Sequence, residues 1–376
     1  MNGKDCARFP LLPQHAKSLA AASTLAAESL ASSECDVGIV WDGGRCVHAA
    51  CDRTDCSDSI PENRHHAHRD RAAGFCFVND AVLAILALRK PRHVLMEPSE
   101  PGTRRKKVLK RLDRVLYLDL DLHWGDGVVS SRRNSQLDLI SSLTSTQEEA
   151  FYNSASVLTL SVHHHAPGFF PVSNHDDSRR TDGSLGRSGG PESAPAHALS
   201  LPLPLGASDE TFRTLFASCI EPVIDEFDPE AFVVQCGTDG AAGDPHRVWN
   251  LSSEAYIEAV GAVLRRKKPT LLLGGGGYHA ANTARIWSSL TALALTDSAA
   301  LDPQVMPEIK RNIATAPIPD FALWSSFSCN ETCHVPAGET DDGTDERDLL
   351  AAQDKFKQHV QTLNKLKAKQ TELRSK

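Results

Sequence analysis

The stretch VLYLDLDLHWGDG, residues 115–127, joins a buried-strand pattern to a high density of charge. Its leading residues are apolar or β-favouring, which predicts a strand that is covered on both faces. Asp119, Asp121, His123 and Asp126 follow at the end of that strand. Three neighbouring carboxylates repel one another unless a cation or an imidazolium neutralises them. The stretch therefore predicts a strand that ends in a cation-binding site.

Predicted strands and helices alternate on both sides of this stretch. The other predicted strands are CDVGIVWDGG (35–44), SVLTLSVH (156–163), HALSLPLPL (197–205), AFVVQCG (231–237) and PTLLLGGGG (269–277). Alanine- and leucine-rich segments between them, such as residues 14–33, 81–90 and 252–267, predict helices. This alternation predicts an α/β fold, with an open parallel β-sheet flanked by helices on both faces. Functional groups then gather at the carboxyl ends of the strands.

Composition narrows the classes of function. The net charge of −8 argues against a chain that grips DNA phosphates along its length, and we expect no direct sequence-specific contact with nucleic acid. No stretch of about 18 apolar residues predicts a membrane span, and the N-terminus lacks the apolar core of a secretory signal. Ten cysteines scattered over 376 residues favour free thiols in a reducing compartment.

The first candidate metal ligands are Asp121 and His123. Residues two apart at the end of a strand project from the same face, so both can reach one ion. A catalytic zinc usually keeps three protein ligands, and Asp239 is the third candidate because it also follows a buried strand and a glycine-rich turn. This donor set suits Zn²⁺, with Fe²⁺ as an alternative. The plainer alternative for either aspartate alone is a helix cap.

Two further groups of residues predict acid–base and oxyanion chemistry. The adjacent His65 and His66 can act as base and acid if carboxylates such as Asp119 and Asp126 hold them. Tyr278 follows four glycines and can donate a hydrogen bond to a developing oxyanion. The alternatives are a chance pair of surface or core histidines and an ordinary packing tyrosine.

In chain order, these segments resemble the zinc-dependent histone deacetylases, most closely the class I type. The matching segments are VWDGG, RHHAHRDRAAGFCFVNDAVLAIL, VLYLDLDLHWGDGV, SVLTLSVHHHAPGFFP, VVQCGTDGAAGDP, NLSSEAY, GGGGYHAANTARIW and IPD. They extend from about residue 36 to residue 320. Several independent motifs in the same order make the resemblance specific.

The resemblance implies the three-layer arginase and deacetylase fold and hydrolysis of acetyl-lysine. It implies Asp121, His123 and Asp239 as zinc ligands, His65 paired with Asp119, His66 paired with Asp126, and Tyr278 as the group that polarises the carbonyl. It also implies a K⁺ ion bound by Asp119, Asp121, His123, Ser161 and Val162. The implied substrate-binding residues are Gly74, Phe75, Phe170 and, at the rim, Asp5.

The implied substrates are acetylated histone tails or other acetyl-lysine proteins. The implied setting is a corepressor complex that regulates chromatin and transcription in the nucleus, with the cytoplasm as an alternative location. Because fold alone does not fix function, two alternatives stay open. One is an acetylpolyamine or other small-amide hydrolase, and the other is a catalytically impaired interaction module or incomplete gene product.

The sequence departs from the family at several places. We expect a catalytic domain over residues 1–337 that lacks the family's N-terminal strand and loop. Loop insertions are expected near residues 46–63, 91–110 and 128–147, and Trp124 replaces a histidine that many relatives have. Residues 338–376 are expected to form a charged C-terminal tail, either helical or disordered.

Overall fold

A computed structural model describes seven parts of the chain. They are residues 10–44, 77–96, 106–129, 150–171, 183–296, 304–318 and 332–374. The predicted site residues Asp5, His65, His66, Gly74 and Phe75 lie outside the described residues. The expected insertion at 46–63 and nearly all of that at 128–147 lie outside them as well.

The largest sheet in the described part of the chain has six parallel strands. The described strands are β1 (Val37–Val40), β2 (Arg92–Met96), β3 (Lys106–Lys110), β4 (Val115–Asp119), β5 (Val157–His164), β6 (Ala198–Leu203), β7 (Ala231–Gln235) and β8 (Thr270–Leu273). The strand order is β1-β8-β7-β4-β5-β6, and each neighbouring pair is parallel. Strand β4 therefore lies inside the sheet, between β7 and β5.

Helices cover both faces of this sheet. The described helices are α1 (Leu12–Ala31), α2 (Asp80–Arg89), α3 (Asp126–Val129), α4 (Asp209–Leu215), α5 (Glu221–Phe227), α6 (Ser253–Leu264), α7 (Ala280–Leu295), α8 (Met306–Ala314) and α9 (Glu346–Arg374). A π-helical turn at Phe216–Ile220 joins α4 to α5. None of these helices is both long enough and apolar enough to span a membrane.

The side chains of β4 alternate between two hydrophobic cores. Val115 and Tyr117 pack with residues of α1 and α2, whereas Leu116 and Leu118 pack with residues of α4 to α7. All four side chains are fully buried, and each such burial contributes roughly 1.5–3 kcal/mol to stability. Alternation of this kind requires apolar residues at every position of the strand, which explains the continuous run in the sequence. The predicted open parallel sheet flanked by helices on both faces is confirmed.

Residues 91–110, expected to be a loop insertion, contain a strand at each end in the structure. Strands β2 and β3 form a separate antiparallel pair, in which Val94 lies opposite Val108. Five basic residues from 104 to 110 hide β3 from sequence analysis, because lysine is depleted in strands.

The C-terminal tail includes the long helix α9. Ala352, Phe356 and Leu363 lie on one face of this helix and are buried against the core that contains α5 and the π-helical turn. His359 lies on the same face, and its Nε2 is 3.2 Å from the Ser188 hydroxyl. Residues 346–374 of the expected charged tail are thus helical, and a narrow apolar stripe attaches this charged helix to the core.

Candidate metal centre

The carboxyl ends of β4, β5, β7 and β8 meet at one edge of the sheet. Asp119 lies opposite Ser161 of β5 and Gln235 of β7, and the N–H of Leu120 donates to the carbonyl of Gln235 at 3.0 Å. Strand pairing therefore continues to the point where the charged residues begin. Parallel strands place their loops at a common edge, so residues from distant parts of the chain converge there.

Asp121 is held by donors from two other strand ends. Its Oδ2 accepts hydrogen bonds from the Gln235 Nε2 and from the backbone N–H of Gly276, each at 2.8 Å. Gln235 is itself oriented because its Oε1 accepts the N–H of Gly237 at 2.8 Å. The side chain of Asp121 is fully buried. These contacts fix the direction of its other oxygen, Oδ1.

Gly237 allows the close approach of β7 to Asp121. A Cβ atom at position 237 would overlap the Asp121 carboxylate. The Asp121 side chain has no room to retreat, because it is buried and bonded to Gln235 and Gly276. The glycine after the strand is therefore a packing requirement of the site.

His123 lies between two carboxylates. Its Nδ1 is 3.0 Å from Asp239 Oδ2 and 3.5 Å from Asp121 Oδ1. Asp239 is fixed in turn because its Oδ1 accepts the N–H of Leu122 at 2.9 Å. Burial would lower the pKa of His123, but the hydrogen bonds and charges of Asp121 and Asp239 prevail and raise it to about 9. The two carboxylates beside His123 thus favour a positive charge at this point.

The structure brings the three predicted metal ligands together. Asp121, His123 and Asp239 are each at least 99% buried, and the His123 Nδ1 lies within 3.5 Å of one oxygen of each carboxylate. Two carboxylates and an imidazole suit Zn²⁺ or Fe²⁺. The residues therefore fit a divalent metal ion.

Asp119 and Asp126 lie beside this group. Asp119 accepts a hydrogen bond from the Tyr117 hydroxyl at 2.8 Å and from the N–H of Asp121 at 3.1 Å. Asp126 is buried and begins α3. Their predicted pairing with His65 and His66 remains a prediction, because both histidines lie outside the described residues.

The residues predicted for K⁺ occupy neighbouring strands. Ser161 and Val162 are buried in β5, and Ser161 pairs in register with Asp119. The Ser161 Oγ is 2.9 Å from the His163 Nδ1, and the His163 Nε2 is 2.8 Å from the carbonyl of Gly183. This arrangement places the predicted residues near one another and leaves the K⁺ site itself a prediction.

Tyr278 lies on the turn between β8 and α7. Its backbone N–H donates to Asp244 Oδ2 at 2.7 Å, while Asp244 Oδ1 accepts the N–H of His246 at 3.0 Å. Burial, and then the charge of Asp239, raise the pKa of Asp244 to about 7, against the effect of these hydrogen bonds. Sequence analysis did not select Asp244 or His246. The segment GDPH that follows Asp239 by a few residues was the available signal.

His246 places a second imidazole at the site. Its ring centroid is 4.9 Å from that of His123 and 5.0 Å from that of Tyr278, with both pairs edge to face. One ligating atom from each of His123, Asp239 and His246 lies within 4.8 Å of the others. Burial, and then the neighbouring His123, lower the pKa of His246. The candidate metal centre is therefore larger than the predicted group of three ligands.

Two phenylalanines flank the centre. Phe169 stacks on the ring of His123 with centroids 4.9 Å apart and an interplanar angle of 18°. Phe170, the predicted tunnel residue, is tilted by 58° at 6.3 Å from the same ring. Phe75, its predicted counterpart, lies outside the described residues. An apolar wall thus stands beside the charged group.

Comparisons with known proteins match one family. A protein family described as "Histone deacetylase domain" matches residues 1–294. The chain is 33% identical over 337 residues to "Histone deacetylase 8" of Danio rerio. The aligned segment covers 89% of this chain and 70% of that protein. It is 33% identical over 291 residues to "Histone deacetylase 8" of Xenopus laevis, covering 77% and 69% of the two chains. It is 34% identical over 293 residues to "Histone deacetylase 6" of Arabidopsis thaliana, covering 78% and 48%.

Proposed function

Because this chain belongs to the histone deacetylase family, we propose that it is a zinc-dependent hydrolase that removes acetyl groups from N6-acetyl-lysine. The observation that carries the proposal is the position of His123, whose Nδ1 lies between the carboxylates of Asp121 and Asp239 at the strand ends. The proposed substrates are histones or other acetylated proteins. The products are acetate and the free lysine amine.

Asp121, His123 and Asp239 would hold the metal ion. When bound, zinc polarises an amide carbonyl and lowers the pKa of water, which supplies a nucleophile near neutral pH. The hydrogen bonds from Gln235, Gly276 and Leu122 orient the two carboxylates before any ion arrives. Such support raises metal affinity, because the ligands lose little conformational freedom on binding.

Tyr278 would act on the substrate carbonyl. The hydrogen bond from its backbone N–H to Asp244, and the packing of its ring against His246, restrict where its hydroxyl can lie. We propose that this hydroxyl donates to the carbonyl oxygen as negative charge develops there. His65 and His66, with Asp119 and Asp126, are proposed to take the proton from water and to protonate the leaving amine.

The phenylalanines favour a neutral side chain. Phe170, and Phe75 by proposal, would wall the passage for the lysine stem, with Gly74 and Asp5 as further substrate contacts. A charged lysine would lose its hydration in such a passage, whereas acetyl-lysine carries no charge. We also propose a nuclear role in regulating chromatin, which the word "histone" in the relatives' names supports. A corepressor complex is proposed as its setting. We also propose that K⁺ binds beside the zinc through Asp119, Asp121, His123, Ser161 and Val162.

The test combines metal content with turnover. We expect the purified protein to contain about one zinc per chain and to release acetate from an acetyl-lysine peptide. Asp121→Asn should remove both properties, because it replaces a buried anionic ligand with a neutral amide. Asp354→Asn, a change of the same chemistry on the exposed face of α9, is the matched control and should change neither.

Two results would redirect the proposal. Folded protein with no zinc and no turnover would exclude the enzyme and leave an interaction module. Zinc-bound protein that hydrolyses an acetylpolyamine but not an acetyl-lysine peptide would keep the chemistry and change the substrate.

A further inference from the structure

The position of His246 is unusual for a residue that only packs against its neighbours. It lies on the turn after Asp239, and its backbone is tied to the turn of Tyr278 through their shared acceptor Asp244. Its ring faces His123 edge to face at 4.9 Å. Two imidazoles and two carboxylates therefore converge at the ends of β4 and β7.

The Nε2 atom of His246 points into the protein. It is buried and has no hydrogen-bond partner among the residues that the structure describes. A buried imidazole nitrogen without a partner is destabilising, so an atom in this position is expected to have a ligand in the working protein. The neighbouring carboxylates and His123 make a cation the natural ligand at this point.

The distances are compatible with shared coordination. One ligating atom of His246 lies within 4.8 Å of those of both His123 and Asp239. Ligands about 2.0–2.2 Å from a tetrahedral zinc are roughly 3.4 Å from one another. A shift of at most about 1.4 Å in one ring would bring His246 to that spacing, and a side chain on a turn can make such a shift.

We propose that His246 is a further ligand of the metal centre, whose Nε2 would bind the ion when no substrate is present. This inference rests on the proposed function, because it needs a metal ion held by Asp121, His123 and Asp239. A catalytic zinc offers a position to its substrate, so we expect a fourth protein ligand to be one that the substrate can displace. His246 is suited to leave because it is only partly buried, whereas His123 and Asp239 are at least 99% buried.

The ligand set also affects the choice of ion. A second imidazole makes the site softer than one with two carboxylates and a single histidine. We therefore expect His246 to favour Zn²⁺ or Co²⁺ over Mg²⁺ and to slow loss of the ion from the resting protein.

The experiment measures zinc affinity of the full chain by competition with a chromophoric chelator. His246→Phe keeps an aromatic ring against Tyr278 and removes only the nitrogens, so it separates ligation from packing. We expect this variant to bind zinc at least about tenfold more weakly. His246→Cys restores a ligating atom and should recover most of the affinity. His164→Phe is the matched control, because His164 is also partly buried but its Nδ1 is 3.0 Å from the carbonyl of Leu203.

Cobalt spectra give a second readout that does not depend on turnover. The Co²⁺-loaded wild type should absorb differently from Co²⁺-loaded His246→Phe, and His246→Cys should add a thiolate-to-cobalt band. A peptide in which a methyl ketone replaces the acetyl amide should move the wild-type spectrum toward that of His246→Phe.

Equal zinc affinities and identical cobalt spectra for wild type and His246→Phe would overturn the inference. If Asp121→Asn still abolishes metal binding under those conditions, the proposed function survives and His246 is a packing residue. A wild-type protein that binds no metal would overturn both. Circular dichroism of each variant ensures that a loss of affinity is not a loss of folding.

Discussion

The carboxylate of Asp244 accepts the backbone N–H of Tyr278 at 2.7 Å, although the two residues are 34 positions apart in the chain. Through its other oxygen, Asp244 accepts the N–H of His246. One buried side chain therefore joins the turn after β7 to the turn after β8. The position of the proposed oxyanion donor depends on this link.

Replacement of Asp244 by alanine should impair turnover without removing the metal. Both N–H groups would lose their acceptor, and the Tyr278 turn would become less well positioned. A misplacement of about 1 Å can lower a rate by about 100-fold, so we expect a fall in kcat of about 10- to 100-fold. Zinc content measured on the same sample should remain near that of the wild type. A protein that loses zinc as well would show that Asp244 supports the metal centre itself.

Tyr278→Phe isolates the hydroxyl from the ring. The ring contact with His246 is kept, while the proposed hydrogen bond to the carbonyl oxygen is lost. Loss of one oxyanion donor typically lowers kcat by about 100- to 1,000-fold, and we expect a fall of this size with unchanged zinc affinity. Steady-state kinetics with an acetyl-lysine peptide measure it. Wild-type kcat in the variant would remove Tyr278 from the mechanism.

Gly237→Ala should disrupt metal binding from a position that carries no ligand. The added methyl would overlap the Asp121 carboxylate, which is buried and cannot move without breaking its bonds to Gln235 and Gly276. We expect zinc affinity to fall by at least about tenfold, because the ligand would be displaced. Gly186→Ala is the matched control, since a Cβ at position 186 meets no atom within 4 Å. Equal affinities in the two variants would contradict the proposed rigidity of Asp121.

Acid should loosen the attachment of α9 through His359. Burial, and then the charge of Lys355, lower the pKa of His359 from 6.5 to about 4. In the unfolded chain, His359 therefore binds a proton below pH 6.5, whereas in the folded protein it does so only near pH 4. Neutral His359 therefore contributes about 3 kcal/mol to the free energy of unfolding above pH 6.5. This contribution is lost as the pH falls toward 4.

Urea unfolding at several pH values checks this expectation. Between pH 7 and pH 4, the wild type should lose more stability than His359→Gln, which carries no titrating group at that position. Parallel stability curves for the two proteins would show that His359 does not titrate with folding.

The sequence predicted those parts of the molecule that depend on local patterns. The run VLYLD is apolar at successive positions because β4 has a core on each side, so a parallel sheet could be inferred and is confirmed. Asp121 and His123 could be paired from their spacing alone. Their roles, and that of Asp239, stay predictions.

Other features depend on contacts between distant residues. His246 reaches His123 only because β7 lies beside β4, and the local segment GDPH does not specify that contact. The docking of α9 rests on a narrow stripe that includes Phe356 in a highly charged helix. The pairing of β2 with β3 is hidden by the lysines in β3. In each case the energy comes from a partner that the segment itself does not specify.

The order of the strands also has a consequence for synthesis. β1 is synthesised before β8, although Val37 pairs with Thr270 of that strand. At about 5–20 residues per second, its partner follows on the order of ten seconds or more later. During that interval the nascent chain presents an apolar segment with unused backbone donors, so chaperones that hold such segments should improve the yield of active protein in cells.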